Sequence, residues 1–370
     1  MRHFGIEKLF LHLGPPKTGT TSLQKVFAEG NDQLASENIF FFLNPAGEPG
    51  HHWLKEEVLR AVSAGSKQFG LREPTIDELI RQFRDSGRNQ LLISTETLVT
   101  DPRNPARRLV KELRPSETRM IFALRAPSKW VSSVQAQRVY SGFEPSRAFG
   151  EDFLEHFLVK TLRRMRKNIE LMLESNANHL DLVVMDGQTD ETLEDLVSKA
   201  LGLTVPLTRG DWLNRRTSPC HAKLSYVLND LLKSRSLSLE VRGNINFYLH
   251  TVIEEYLDGH HCVESCFQII DGNRAKAVVS EVKGFQDRLQ RLSTQLLGLP
   301  AEDHADPVLF FVPAPVDSDY ERAAALLPRA YVRLMETATD IWKQNQGMLA
   351  RLVQSAPDVA GCIQTESVLR

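Results

Sequence analysis

From the start of the chain to about residue 205, short β-rich apolar runs alternate with amphipathic stretches of helical period. The runs are Lys8–Leu13, Ile39–Leu43, Gln90–Ser94, Arg119–Leu124 and Leu180–Met185. Such alternation predicts a parallel sheet with crossover helices. Two helix starts carry the spacing of a capping box, Thr75-Ile76-Asp77-Glu78 ahead of the amphipathic stretch Ile76–Phe83, and Thr21-Ser22-Leu23-Gln24. Beyond Pro206 the pattern changes to long helical stretches, Leu224–Leu232, Ala275–Leu297 and Tyr320–Leu352, and no strand–helix alternation survives there. Pro300–Pro315, with acidic residues around the apolar run Val308–Val312, is the linker candidate. The expected architecture is α/β over residues 1–218 with a mainly helical region over 219–370. No internal repeat or low-complexity tract is present.

A chain of 370 residues with a formal net charge of −2 can bury one large core or two modest ones, and it lacks the basic excess that broad nucleic-acid or anionic-membrane binding favours. Arg163-Arg164-Met165-Arg166-Lys167 is a basic cluster in a helical pattern and reads as a solvated helix face. No apolar run approaches the roughly 20 residues that span a bilayer. The segment Met1–Lys8 runs into a strand without a signal-like apolar region, so a cytoplasmic location without stable membrane insertion is expected. Cys220, Cys262, Cys266 and Cys362 are too few for a disulfide framework. His260-His261-Cys262 with Cys266 has part of a zinc-site spacing, but no second ligand pair follows and no metal is expected.

The sharpest local signal is Leu11-His12-Leu13-Gly14-Pro15-Pro16-Lys17-Thr18-Gly19-Thr20-Thr21-Ser22, between the first strand and the first helix. A glycine turn there aims backbone N–H groups and a helix N-terminus at one spot, which suits a phosphate. Nucleoside-triphosphate loops of the form G-x-x-x-x-G-K-[ST] place their lysine just after the second glycine. Here Thr20 holds that position and Lys17 lies two residues before Gly19.

Pro16-Lys17-Thr18-Gly19-Thr20-Thr21 resembles, at every position, the 5′-phosphosulfate loop of sulfotransferases that use 3′-phosphoadenosine 5′-phosphosulfate (PAPS), whose usual form is P-K-[ST]-G-T-T. A second stretch, Phe122-Ala123-Leu124-Arg125-Ala126-Pro127-Ser128-Lys129-Trp130-Val131-Ser132-Ser133, resembles the same family's 3′-phosphate element. That resemblance assigns Arg125 and Ser133 to the 3′-phosphate, and the residues Pro16 to Ser22 to the 5′ end of the nucleotide. Leu180–Asp186 is similar to the family's late strand, with Met185-Asp186 in place of Tyr-Glu, and Asn214-Arg215-Arg216-Thr217-Ser218 is a weaker match. The similarity covers residues 8–218. It implies a P-loop-like three-layer fold with a central parallel sheet, PAPS as co-substrate, 3′-phosphoadenosine 5′-phosphate as product, and no metal requirement.

Such transfer needs a cation at the leaving phosphate and a base at the acceptor. Lys17 suits the first role. Glu96, in Ile93-Ser94-Thr95-Glu96 at the carboxyl end of the third strand, is the leading base and resembles the family's Ser-x-Glu segment. The alternative for Glu96 is a helix-start glutamate favouring the dipole of the next helix. His51 and His52, read as a loop tip, are rival bases or acceptor-positioning residues, and His12 reads as a core residue. The acceptor would be a hydroxyl or amine on a glycan, a lipid-linked sugar or a small metabolite, with the helical region shaping that pocket or a homo-oligomer interface. An atypical P-loop kinase and a non-catalytic nucleotide-binding scaffold are the competing readings.

Overall fold

The computed structural model describes residues 4–44, 50–60, 74–127, 129–131, 133–134, 159–174, 178–185, 191–208, 268–269, 272–298 and 310–311. The chain divides into two units. The first comprises Met1–Trp130, Phe157–Arg215 and Lys276–Pro307, and the second comprises Val131–His156, Arg216–Ala275 and Val308–Arg370.

All five expected strands of the first unit form: β1 (Lys8–Leu13), β2 (Ile39–Phe41), β3 (Gln90–Ser94), β4 (Glu117–Leu124) and β5 (Asn178–Val184). A sixth, β6 (Gln295–Leu297), completes one all-parallel sheet of order β2-β3-β1-β4-β5-β6. β1 is central, with His12 opposite both Ser94 of β3 and Ile121 of β4. The chain passes from β1 to the edge strand β2, returns to β3 between them and then crosses to β4 on the other side of β1; open sheets bind ligands beyond the carboxyl ends of strands at such a reversal.

Helices cover the sheet on both faces. α1 (Thr20–Glu29), α2 (Asn31–Ser36) and α7 (Leu193–Leu201) contribute Leu23, Phe27, Leu34, Leu196 and Val197 to a core closed by Phe10, Phe41, Ile121 and Val183 of the strands. Phe40 and Phe122, one pleat away, point to the opposite face. There they meet Phe83 of α4 (Ile76–Asp85) and Phe285 of α8 (Gly272–Leu292). That second face also carries α3 (Trp53–Arg60), α5 (Pro105–Leu113) and α6 (Lys160–Leu173). In α6, Met165 is buried while Arg163, Arg166 and Lys167 are exposed, so the basic cluster is a solvated face. Among the described residues no helix is long and apolar enough to cross a membrane.

The sequence pattern and the structure differ at identifiable points. Ala275–Leu297 reads as one helix, yet α8 stops at Leu292 and residues 295–297 pair with β5. The break is made by Thr294, whose N–H donates to Leu180 O at 2.7 Å and whose hydroxyl accepts from Leu180 N at 3.3 Å. A strand therefore does occur beyond Pro206, and it belongs to the sheet. Within the linker candidate, Phe310–Phe311 pairs antiparallel with Gln268–Ile269. The stretches Leu224–Leu232 and Tyr320–Leu352, the four cysteines, Asp186 and Asn214–Ser218 lie outside the described residues.

Thr75 caps α4 by accepting from Glu78 N, as its spacing predicts. Thr21 caps nothing. It is exposed inside α1, whose N-cap is Gly19, and Gln24 turns into the core. A complete capping box stands instead at α7, where Thr192 and Asp195 exchange bonds. Thr192→Ala is expected to lower the unfolding free energy by about 1 kcal/mol, while Thr21→Ala should leave stability within about 0.5 kcal/mol, both read by urea denaturation.

Candidate functional site

Three adjacent strands deliver the sequence-predicted residues to one end of the sheet. The link from β1 to α1 reverses hand residue by residue: Lys17 has φ 71°, Thr18 is not in the positive-φ region, Gly19 has φ 74° and Thr20 is helical. Alternating hand turns successive N–H groups toward one concave side, forming a nest for an anion. Pro15 and Pro16 bring no N–H, so the donors begin at Lys17. α1 adds its first-turn N–H groups, which no side chain caps, and Thr20 and Ser22 are buried there. A buried helix start without a cap is a place built for an external acceptor.

The loop is tight on its inner side. A Cβ on Gly19 would lie 2.7 Å from Leu193 Cδ2 and 2.9 Å from Met185 Cε, and the positive φ adds strain for any other residue. Behind the nest, three consecutive carbonyls are tied down. Thr18 Oγ1 donates to Pro15 O at 2.8 Å, Trp130 Nε1 to Pro16 O at 2.8 Å, and Arg125 Nη1 to Lys17 O at 3.4 Å. Thr18 thus braces the turn with its hydroxyl, while Pro16, Lys17 and Gly19 remain partly exposed.

Arg125 follows the end of β4, and its carbonyl accepts from Gln286 Nε2 of α8 at 2.7 Å. A helical turn opens at Pro127, with Trp130 N–H donating to Ala126 O at 2.9 Å. Proline at the first helical position costs nothing there, because its absent N–H would have had no partner. Ser133 is helical and half-buried, and it belongs to the second unit.

From β3, Thr95 N–H donates to His12 O at 3.0 Å, and Glu96 comes next, partly exposed. Burial pushes the Glu96 carboxyl from 4.5 up to about 7, and the Lys17 ammonium acts against that rise. Burial also lowers the Lys17 amine from its ordinary range; Glu96 opposes this lowering and Arg125 adds to it. Lys17, Glu96 and Arg125 therefore share one electrostatic site, with no direct ion pair between Lys17 and Glu96 among the described residues.

The two histidines separate sharply. His51 is buried, not a loop tip: Nε2–H donates to Phe42 O at 2.8 Å and Nδ1 accepts from Ser94 N at 2.9 Å. With both nitrogens engaged and burial lowering its pKa to about 4, it latches the end of β2 to β3. The latch takes Phe42 O out of strand pairing, and β2 ends at Phe41, short of the expected Leu43. His52 is partly exposed, with Nδ1 at 3.3 Å from Thr95 Oγ1. His12 is a core residue as expected, bonded through Nδ1 to Ser94 Oγ at 2.7 Å.

Sequence reading missed Trp130, Gln286, Gln24 and Asn168. Asn168, buried on α6, holds the segment that follows Glu96 by donating to Val99 O at 2.9 Å and to Asp101 O at 2.8 Å. A buried asparagine in a basic amphipathic stretch was the available signal. Among the described residues no group of three or more His, Cys, Asp or Glu is placed to hold a metal ion.

A scan against protein-family models matches none, and a search of the curated proteins finds no match. The functional reading therefore stands on the geometry.

A carboxyl whose pKa is raised on folding favours the protonated fold, so its stabilising contribution is complete below about 4.5 and is lost as pH rises through 7. Glu96→Gln should match the wild type in stability at pH 4 and exceed it at pH 8, measured by denaturant unfolding at both values. His51→Ala leaves Phe42 O and Ser94 N–H buried without partners and should cost about 2–5 kcal/mol in the same assay.

Proposed function

We propose that this chain is a PAPS-dependent sulfotransferase of P-loop-like three-layer fold, passing a sulfonate group to a hydroxyl or amine of a glycan, lipid-linked sugar or small metabolite. The observation that carries the reading is the coupled pair Lys17 and Glu96 beside an uncapped N–H nest. An anion nest by itself would fit any phosphate. A lysine in the nest loop, whose charge acts on a partly buried carboxyl at the next strand end, fits a group transfer that needs a cation on the leaving side and a base on the attacking side.

On this reading the N–H groups from Lys17 through Ser22 hold the 5′-phosphosulfate, and Arg125 takes the 3′-phosphate. Thr18 shapes the loop, and Thr20 and Thr21 add hydroxyls at the helix start. The acceptor oxygen attacks sulfur in line with the bridging oxygen, the bond from sulfur to that oxygen breaks, and 3′-phosphoadenosine 5′-phosphate leaves. Glu96 takes the acceptor proton. Lys17 stabilises the charge that builds on the bridging oxygen, an interaction stronger in the transition state than in the bound donor. Positioning and charge stabilisation supply most of the rate, as in the related phosphoryl transfers. His51 has no free nitrogen for the base role, whereas His52 stands near Thr95 and is assigned to the acceptor side. The reaction runs in the cytoplasm, where PAPS is made.

The product nucleotide at about 100 times its dissociation constant contributes roughly 2.7 kcal/mol and should raise the melting temperature by several degrees without magnesium. A larger shift with ATP and magnesium would move the assignment to a kinase. Arg125→Ala should lose far more affinity for the 3′-phosphorylated nucleotide than for its analogue lacking that phosphate; equal losses would make Arg125 structural.

In turnover assays with PAPS and cell extract, followed by mass spectrometry for new sulfate esters, Lys17→Ala should lower the rate more than the affinity. Glu96→Gln should bind nucleotide normally and turn over on the order of 10²–10⁴-fold more slowly. The wild-type rate should rise with pH through about 7 as Glu96 loses its proton. Near-normal turnover in Glu96→Gln would assign the base elsewhere.

A further inference from the structure

The nest would not hold its shape unaided. Lys17 carries a side chain at φ 71°, a conformation that favours glycine and persists only where the surroundings over-determine it. The neighbouring carbonyls identify those surroundings. Thr18 restrains Pro15 O from within the loop, and Arg125 reaches Lys17 O at the long distance of 3.4 Å. The short bond from outside the loop is Trp130 Nε1–H to Pro16 O, at 2.8 Å. The peptide it fixes is the one joining Pro16 to Lys17, so the orientation of that carbonyl also sets the direction of the Lys17 N–H, the first donor of the nest.

Trp130 is well placed to hold a fixed direction. It is 4% exposed, and its backbone N–H is bonded to Ala126 O in the turn that Pro127 opens. That turn follows Arg125, whose carbonyl is held by Gln286 of α8. The end of β4 thus supports the loop after β1 through a side chain that touches neither nucleotide nor acceptor in the proposed reaction.

We infer that Trp130 is a positioning residue, whose indole N–H holds the Pro16–Lys17 peptide in the anion-binding conformation and keeps the Lys17 amine in its desolvated place. The inference deepens the sulfotransferase reading, but the clamp acts on any phosphate-bearing ligand of the nest. Without it the peptide turns, one donor leaves the concave side, and the lysine gains solvent. Burial lowers the amine's pKa in the clamped loop, so release moves it back toward the ordinary lysine range.

The test is Trp130→Phe, which keeps an aromatic ring in the core and removes the N–H. Calorimetry would give the affinity of wild type and variant for 3′-phosphoadenosine 5′-phosphate and for inorganic pyrophosphate. The pH dependence of Lys17 acylation, followed by peptide mass spectrometry, reports the amine without requiring turnover. The expected result is about a tenfold loss of affinity for the bound ligand and a Lys17 acylation curve displaced to higher pH, with a cooperative melt retained. Trp130→Tyr, also lacking the indole N–H, should behave like the phenylalanine variant, so a defect specific to the phenylalanine ring would point to packing and overturn the inference. Affinity within twofold and an unmoved acylation curve would overturn it as well. If pyrophosphate binds and shows the tenfold sensitivity while the nucleotide does not bind, the clamp stands and the sulfotransferase reading falls. If the wild type binds neither, both fall.

Discussion

The arrangement depends on the pairing of β1 with β3 on one side and β4 on the other. Parallel strands in fixed register present their carboxyl ends on the same side, so the residues that follow Leu13, Ser94 and Leu124 are brought to one edge of the sheet. The glycine loop, Glu96 and Arg125 are those residues. A slip of one position in either pairing would send the inward side chains to the opposite face, exchanging Phe10 and Ile121 with residues that pack under α4 and α8. The two apolar faces of the sheet resist that exchange, because both are covered. The register that protects the core is therefore also what aligns the site.

A second layer of interactions fixes the strand ends. His12 and Ser94 are opposite one another and hydrogen bonded, Thr95 continues the pairing onto His12 O, and His51 bridges Ser94 N to Phe42 O. Both rings are held near pKa 4 by burial and stay neutral throughout the physiological range. Neutral histidines can give and take hydrogen bonds in a dry interior without the cost of burying a charge. Lys17 and Glu96 lie one step farther out, where burial is incomplete.

Much of the first unit was legible because its strands announce themselves as short apolar runs between periodic stretches, and β1 and β3 have the expected bounds. The loop and Glu96 were legible because residue type and position at a strand end are both local properties. What could not be read was tertiary. Gln295–Leu297 continues a helical period, and only the offer of β5 as a partner makes it a strand. His51 follows a glycine like many loop tips, and only the neighbouring strand ends reveal two backbone partners for its ring. Thr21 has the spacing of a cap, but the left-handed Gly19 starts the helix two residues earlier and leaves Thr21 on the surface. Trp130 and Gln286 reach their acceptors across 114 and 161 positions, beyond any local pattern.

The displaced lysine acquires a physical meaning from this geometry. In the nucleoside-triphosphate loop, the residue after the second glycine is the first of the helix, and a lysine there extends from the helix toward terminal phosphates. Here that position is Thr20, 2% exposed and packed against the turn, where a long cationic side chain would have to be buried. Lys17 instead departs from the loop itself, in a left-handed conformation, and its charge is felt by Glu96 at the end of β3. The Lys17 and Glu96 charges therefore act on one another across the adjoining ends of β1 and β3. A lysine that departs from the loop keeps its charge beside the end of β3, whereas one on the helix would depart from α1.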